Sequence, residues 1–170
     1  EDTVKALAYI HQLELMAIEK GSQVAMAGYL SALGSLRQYR GYYENASRLF
    51  RASAGKYKSL DMPGKYGHAL VDLGNSKLYL AAYDSALHYY EQALAVFRDH
   101  DLIEGQSRCL NNMGIVYKNY GQYDEAIRCY LGNVAIYEAL NDQYSLSQTF
   151  INLGNVFINL TAVYHFATSL

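Results

Sequence analysis

Proline is almost missing: Pro63 stands alone in 170 residues. Proline breaks helix interiors, so its scarcity leaves room for long uninterrupted helices. Cysteine occurs twice, as Cys109 and Cys129, with no C-x-x-C pair, so neither a multi-disulfide framework nor a C-x-x-C metal motif is present. Tryptophan is absent. Charged residues make up 18% of the chain, below the usual share of about a quarter, and the net charge is −2 with a pI of about 6.2. That balance gives no electrostatic footprint for nucleic acid. No apolar run approaches the roughly 18 residues that suggest a membrane span, so no direct membrane contact is expected. The five histidines (His11, His68, His88, His100, His165) never pair at i+3 or i+4, which leaves a helical metal site unsupported. There is no phosphate loop and no G-x-S-x-G. Asp124 and Glu125 lie at an expected helix start, where negative charge suits the dipole. No enzyme, metal or cofactor is expected.

What is present is hydrophobic and periodic. Apolar residues make up 51% of the chain, enough to bury a core and too much for disorder. Eighteen tyrosines supply large bodies with polar tips, suited to half-exposed packing between helices. Gly34, Gly74, Gly114 and Gly154 recur every 40 residues; Ala46, Ala86 and Ala126 follow the first three by twelve, with Ala6 in the same phase. Tyr43, Tyr83 and Tyr123 form a third register, and Ile10, Phe50, Tyr90 and Tyr130 a fourth. A repeated skeleton at this period is the signature of a stacked array.

Within each period the spacing is helical. Leu110, Met113, Gly114 and Tyr117 stand at i, i+3, i+4 and i+7, as do Tyr123, Ala126, Ile127 and Tyr130, one face of a helix each. Gly121 and Gln122 between them make a short turn. Gly21, Asp61, Asp101 and Asn141 mark the other turns, Asp101 with Glu104 fits a capping box, and Pro63 fits a first helical turn. Helices are expected at 2–20, 22–40, 43–60, 63–80, 83–100, 103–120, 123–140 and 143–160, each about 27 Å long at about 1.5 Å per residue. The returning residues then sit where helices touch: glycine admits a neighbour, alanine is its small partner, and the rings fill the space beside them. Cys109 and Cys129 fall on the two helices of one unit. A disulfide is geometrically conceivable there, but two free thiols packed as small apolar groups is the reading adopted, which leans toward a reducing, cytoplasmic compartment.

The stretches "LVDLGNSKLYLAAYDSALHYY" (70–90) and "LNNMGIVYKNYGQYDEAIRCY" (110–130) resemble the tetratricopeptide-repeat family, and the resemblance covers nearly the whole chain. The usual period is about 34; the longer one here is similar to the arrays of kinesin light chains, spindle-orientation scaffolds and bacterial sensors and regulators. The resemblance implies an all-α, right-handed superhelical solenoid of antiparallel helix pairs, with the first helix of each pair (helix A) on the concave side and the second (helix B) outside. Residues 1–170 then form a single array. Residues 2–20 are helix B of an incomplete repeat, 22–60, 63–100 and 103–140 are full repeats, and 143–170 is an incomplete last repeat. A one-residue insertion would bring Ala162, Tyr164 and Ala167 into step with Gly121, Tyr123 and Ala126 and start a last helix B. With no polar caps at its ends and Glu1 rather than Met at its start, the sequence is expected to be a piece of a longer array or multidomain protein. Pairing of the uncapped ends in a homo-oligomer is the alternative.

The resemblance also places the partner site on the concave face of the A helices. The phases are Gly28, His68, Arg108, Gln148; Ala32, Asp72, Asn112, Asn152; Ser35, Asn75, Ile115, Asn155; and Tyr39, Tyr79, Asn119, Asn159, with Lys118 adding charge beside Arg108 and Arg37 and Arg40 further back. The expected partner-binding set is therefore Asp72, Asn75, Tyr79, Arg108, Asn112, Lys118, Asn119, Gln148, Asn152, Asn155 and Asn159. Asparagine amides offer donor and acceptor together, so a row of them can pair with an extended peptide's backbone; equally, they can bridge neighbouring helices. The carboxylate clamp of chaperone-tail binders is not reproduced: Ser31, Val71, Asn111 and Ile151 occupy the phase of its first lysine. A module that binds a protein or peptide in its groove is the leading functional expectation. A sensory input domain of a bacterial signalling protein, for which a periplasmic location stays open, and a self-assembling structural array are the others.

Overall fold

Every twenty residues the backbone enters the left-handed region. The positions are Gly21 (φ 61°), Gly41 (79°), Asp61 (51°), Ala81 (54°), Asp101 (54°), Gly121 (77°) and Asn141 (54°). Each ends one helix and lets the next begin. Gly41 N–H donates to the Gln38 carbonyl at 3.0 Å and Tyr42 N–H to the Arg37 carbonyl at 2.9 Å, and the Tyr42 carbonyl then accepts from Ala46 N–H at 2.9 Å. The first two bonds are a Schellman motif, which satisfies the last carbonyls of the outgoing helix; the third opens the incoming one. The same paired C-terminal bonds recur at 61–62, 81–82, 101–102, 121–122 and 141–142. Glycine, Asn and Asp tolerate this conformation best, which is why they recur there.

The computed structural model describes residues 2–168, which form eight helices and no strand: α1 (Asp2–Glu19), α2 (Gln23–Tyr39), α3 (Tyr43–Ser59), α4 (Pro63–Tyr79), α5 (Tyr83–Asp99), α6 (Ile103–Asn119), α7 (Tyr123–Ala139) and α8 (Gln143–Thr168). None of them is long and apolar enough to cross a membrane. The first seven lie within about two residues of the expected spans. Pro63 opens α4, as its missing N–H allows.

Two expectations are corrected. Asp101 does not start a capping box with Glu104, because it occupies the left-handed position that closes α5, one residue before the next helix's cap. The carboxylate that does cap stands one position later in phase: Asp142 accepts from Ser145 N–H at 3.1 Å, and hydrogen bonding from the Ser145 side chain, then its backbone, holds the carboxyl below its ordinary value. The turn expected after residue 160 is also absent. Thr161, in phase with Gly41, Ala81 and Gly121, is β-branched and resists positive φ. Its hydroxyl bonds back to the Phe157 and Ile158 carbonyls instead, and α8 runs on through Thr168. The side chains of Ala6, Tyr164 and Ala167, singled out by the register, lie outside the described residues.

The described residues divide into two compact units, Glu1–Gly105 and Gln106–Leu170. In the first, α1 to α5 each pack on the next helix in sequence. In the second, α6 packs on α7 and α7 on α8. Within each helical pair a ring lies on a glycine. A Cβ built on Gly34 would stand 2.8 Å from the Phe50 ring, one on Gly74 2.5 Å from Tyr90, and one on Gly114 2.7 Å from Tyr130. Ala46, Ala86 and Ala126 are wholly buried, four residues ahead of those rings. Phe97 fills a second contact of this kind: its ring lies 2.6 Å from the Cβ position of Gly67 and also presses on Gly105. Gly154 differs from its three counterparts: among the described residues, nothing lies within 4 Å of its Cβ position.

Buried hydrogen bonds tie helix B to the backbone of helix A. The Ser53 hydroxyl donates to the Ala27 carbonyl at 2.8 Å. Eighty residues later the Asn133 amide donates to the Ser107 carbonyl at 3.1 Å, and the Tyr137 hydroxyl to Ser107 Oγ at 3.0 Å. Cys109 and Cys129 are buried thiols with no disulfide between them. Burial, with Glu125 beside it, pushes the Cys129 thiol from 9.0 up to about 11, and burial pushes the Tyr130 phenol from 10.0 up to about 12.

Four outcomes follow from this fold. Gly114→Leu is expected to destabilise by about 1–3 kcal/mol in chemical denaturation, because the Tyr130 ring already occupies the space; Gly154→Ala, with open space and a better helix former, should stabilise by about 0.5–1 kcal/mol. Ala81→Gly should stabilise by about 1 kcal/mol by relieving the left-handed alanine. The raised Cys129 and Tyr130 values mean that the fold favours the neutral forms. Their contribution is therefore complete below pH 9 and is lost as pH rises through about 11 and 12. The melting temperature should fall across that window, less steeply in Cys129→Ala.

Candidate functional site

In the first unit the ends of α2 and α4 and the start of α3 enclose an open cradle of about 360 Å³, lined by Ser35, Gln38, Tyr39, Tyr43, Phe50, Asp72 and Tyr79. The tyrosines come from helix termini, where the turn leaves a ring unburied by the next helix. Tyr39 ends α2 and is 86% exposed. Tyr79 ends α4 and lies flat on Tyr43, with centroids 4.8 Å apart and planes 14° from parallel. Ser76 donates to Gln38 Oε1 at 3.0 Å, joining α4 to α2 below the cradle. The Lys77 ammonium stands 3.5 Å from the Glu44 carboxylate at its edge. The site therefore offers aromatic faces, a carboxylate and amide and hydroxyl groups over an apolar floor formed by Phe50.

Of the expected partner-binding residues, Asp72 and Tyr79 line this cradle, with Ser35 and Tyr39 from the same phases. Asn75 is engaged in packing: its Oδ1 accepts from the Tyr90 hydroxyl at 2.7 Å, so the ring that lies on Gly74 is anchored at its tip. His68 lies against Phe97, with ring centroids 5.2 Å apart, and Gly28 beneath Leu13 and Tyr57; that phase faces packing in this unit. Sequence reasoning missed Gln38 and Tyr43. Tyr43 shares a register with Tyr83 and Tyr123, and that register reads as core.

The remaining residues belong to the second unit. Asn152 on α8 donates to Asn111 Oδ1 on α6 at 3.0 Å, an amide–amide bridge between successive A helices. Arg108, Asn119, Gln148, Asn155 and Asn159 are exposed, and Asn112 and Lys118 half-buried. The amides thus divide between bridging (Asn75, Asn111, Asn152) and exposed positions (Asn119, Asn155, Asn159).

The chain is similar to known proteins in three ways. Residues 107–143 match the tetratricopeptide repeat model. The transcriptional activator NprA of Geobacillus stearothermophilus is 31% identical over 114 residues, 66% of this chain and 26% of that protein. The chain thus spans about a quarter of that relative's length. Among solved structures, BtubC (BKLC) from P. vanneervenii superposes with a TM-score of 0.76 at 19% identity, over 92% of this chain and 64% of that one. The Rap conjugation gene regulator of plasmid pLS20, solved with the Phr* peptide, superposes with a TM-score of 0.71 at 15% identity, over 84% and 40%. The repeat match over residues 107–143 and the shared helical-pair fold both support a tetratricopeptide-repeat array.

Proposed function

We propose that the chain is a protein–protein interaction module of a scaffold or regulator, and that it takes a peptide segment on the face of its A helices. The observation that carries this reading is the cradle of Tyr39, Tyr43 and Tyr79 around Asp72. Tyr43 and Tyr79 hold each other by stacking, Tyr39 stands exposed beside them, and aromatic faces suit a peptide side chain bearing a cation or a flat amide. The exposed amides Asn119, Asn155 and Asn159 extend the reading to the second unit, where each bond to a peptide backbone would contribute about 0.5–1.5 kcal/mol. The peptide seen with the Rap conjugation gene regulator supports the class of ligand. Nothing in the cradle's chemistry calls for catalysis, and the reading is of a binder, not an enzyme.

A second reading is favoured by the NprA relative: the array is the regulatory input of a larger signalling protein, with peptide occupancy biasing an output domain. Both readings share the same groove.

The test is selection of binding peptides from a displayed random library, followed by titration of the winners against variants. Tyr39→Ser with Tyr79→Ser is expected to weaken binding at least tenfold while the melting temperature moves little, since Tyr39 is exposed and only the Tyr43 stack is lost. Asn112→Ala with Asn155→Ala should weaken binding less. Retention of full affinity in the tyrosine pair would exclude the cradle as the site; a large loss of stability in the asparagine pair would make those amides architectural.

A further inference from the structure

On the reading of the tyrosine cradle as a peptide site, its lining selects the side chain that it takes. Asp72 is the one charged residue among the lining residues, and it is half-buried on α4. No lysine, arginine or histidine lines the cradle. The cations closest to it along the chain are engaged elsewhere. The Lys77 ammonium stands 3.5 Å from the Glu44 carboxylate, with only 16% of its side chain exposed. The Arg37 charge acts on the Tyr29 phenol, which donates to Glu14 on α1 at 3.1 Å. A carboxylate accepts about four hydrogen bonds, so Asp72 can receive a ligand's donors alongside its contacts within the fold.

The rings add a demand for shape. Tyr43 and Tyr79 lie nearly parallel, 14° apart in plane, and Tyr39 and Tyr79 are 86% and 59% exposed. Aromatic faces attract cations through the ring quadrupole. A guanidinium meets both demands at once: its plane stacks on a ring, and its fork of N–H donors matches a carboxylate at two points. An ammonium brings the charge without the plane. A carboxamide brings the plane without the charge. An acidic side chain would set a second negative charge beside Asp72. Gln38 serves the ligand's backbone instead. Its Oε1 accepts from Ser76 at 3.0 Å, which leaves the amide N–H groups for a peptide carbonyl.

We infer that the cradle is an arginine subsite, and that its occupant is the arginine side chain of an extended peptide. The guanidinium lies against the Tyr39 and Tyr79 rings and pairs with Asp72, while Gln38 holds the adjoining backbone. Because Asp72 is half-buried, solvent and salt screen this pair less than one on open surface. The site therefore reads a charged, planar group, and peptides without arginine are poor ligands for it.

The test uses fluorescein-labelled peptides selected from a displayed random library against the 170-residue chain. Selected peptides that lose affinity in Tyr39→Ser with Tyr79→Ser report on the cradle, and arginine should recur in them at one position. Replacing that arginine by citrulline, its neutral planar isostere, is expected to weaken binding by about tenfold or more. Replacement by lysine should weaken it less, by roughly three- to tenfold. In Asp72→Asn the arginine and citrulline forms should bind within about twofold of each other, with circular dichroism confirming that the variant is folded. Cradle-dependent peptides that lack arginine, or that keep their affinity with citrulline, would overturn the inference and leave the peptide-binding reading standing. So would an unchanged arginine preference in Asp72→Asn. If no selected peptide depends on the tyrosines, both fall. If Asp72→Asn does not fold, the ratio of arginine to citrulline affinity on the unaltered chain decides.

Discussion

A ring lying on a glycine sets the spacing between the helices of each pair, and most other features depend on it. Phe50 on Gly34, Tyr90 on Gly74 and Tyr130 on Gly114 occupy the volume that a Cβ would need. Protein interiors tolerate little change of volume, so this one contact fixes how closely the two helices approach. Ala46, Ala86 and Ala126 are buried because the ring's neighbour one turn away must also be small. The polar tips are drawn into the same arrangement: the Tyr90 hydroxyl reaches Asn75 and so holds a groove-phase amide in place. The contact thus governs both the core and part of the polar surface of the A helices.

The turns impose a second constraint. With a left-handed residue every twenty positions, one backbone motif both closes a helix and opens the next. Helix ends fall at fixed phases, and the tyrosines at those ends are placed together: Tyr39 and Tyr79 at the ends of A helices, Tyr43 at the start of a B helix. The cradle arises from that coincidence. Where the turn residue is replaced by a β-branched one, at Thr161, the helix continues instead, and the seat on Gly154 is left without the ring that a following antiparallel helix B would bring.

Polar side chains on the groove phases serve two ends. Asn75 and the Asn111–Asn152 bridge connect helices, whereas Asn119, Asn155 and Asn159 face outward. Period alone cannot separate them, because a bridging amide and an exposed amide occupy equivalent phases on the helix. What separates them is the neighbour: a tyrosine tip at the right height for Asn75, another amide for Asn152.

The amino-acid sequence by itself determined that the chain is helical, that its unit is 40 residues and that Gly34, Gly74, Gly114 and the matching alanines lie between helices. These follow from local rules, the helical spacing of apolar residues and the steric needs of glycine, which any stretch of chain obeys wherever it sits. The capping role given to Asp101 failed because left-handed closure shifts the cap by one position, and the turn expected beyond residue 160 failed because Thr161 resists positive φ and bonds back into its own helix. Only the tertiary structure decided that Tyr43 stacks on Tyr79, that Asn75 and Asn152 are bridges, and that Gly154 is bare. Each of these depends on which side chain from another helix arrives within a few ångströms, and that is a property of packing, not of the order of residues along one helix.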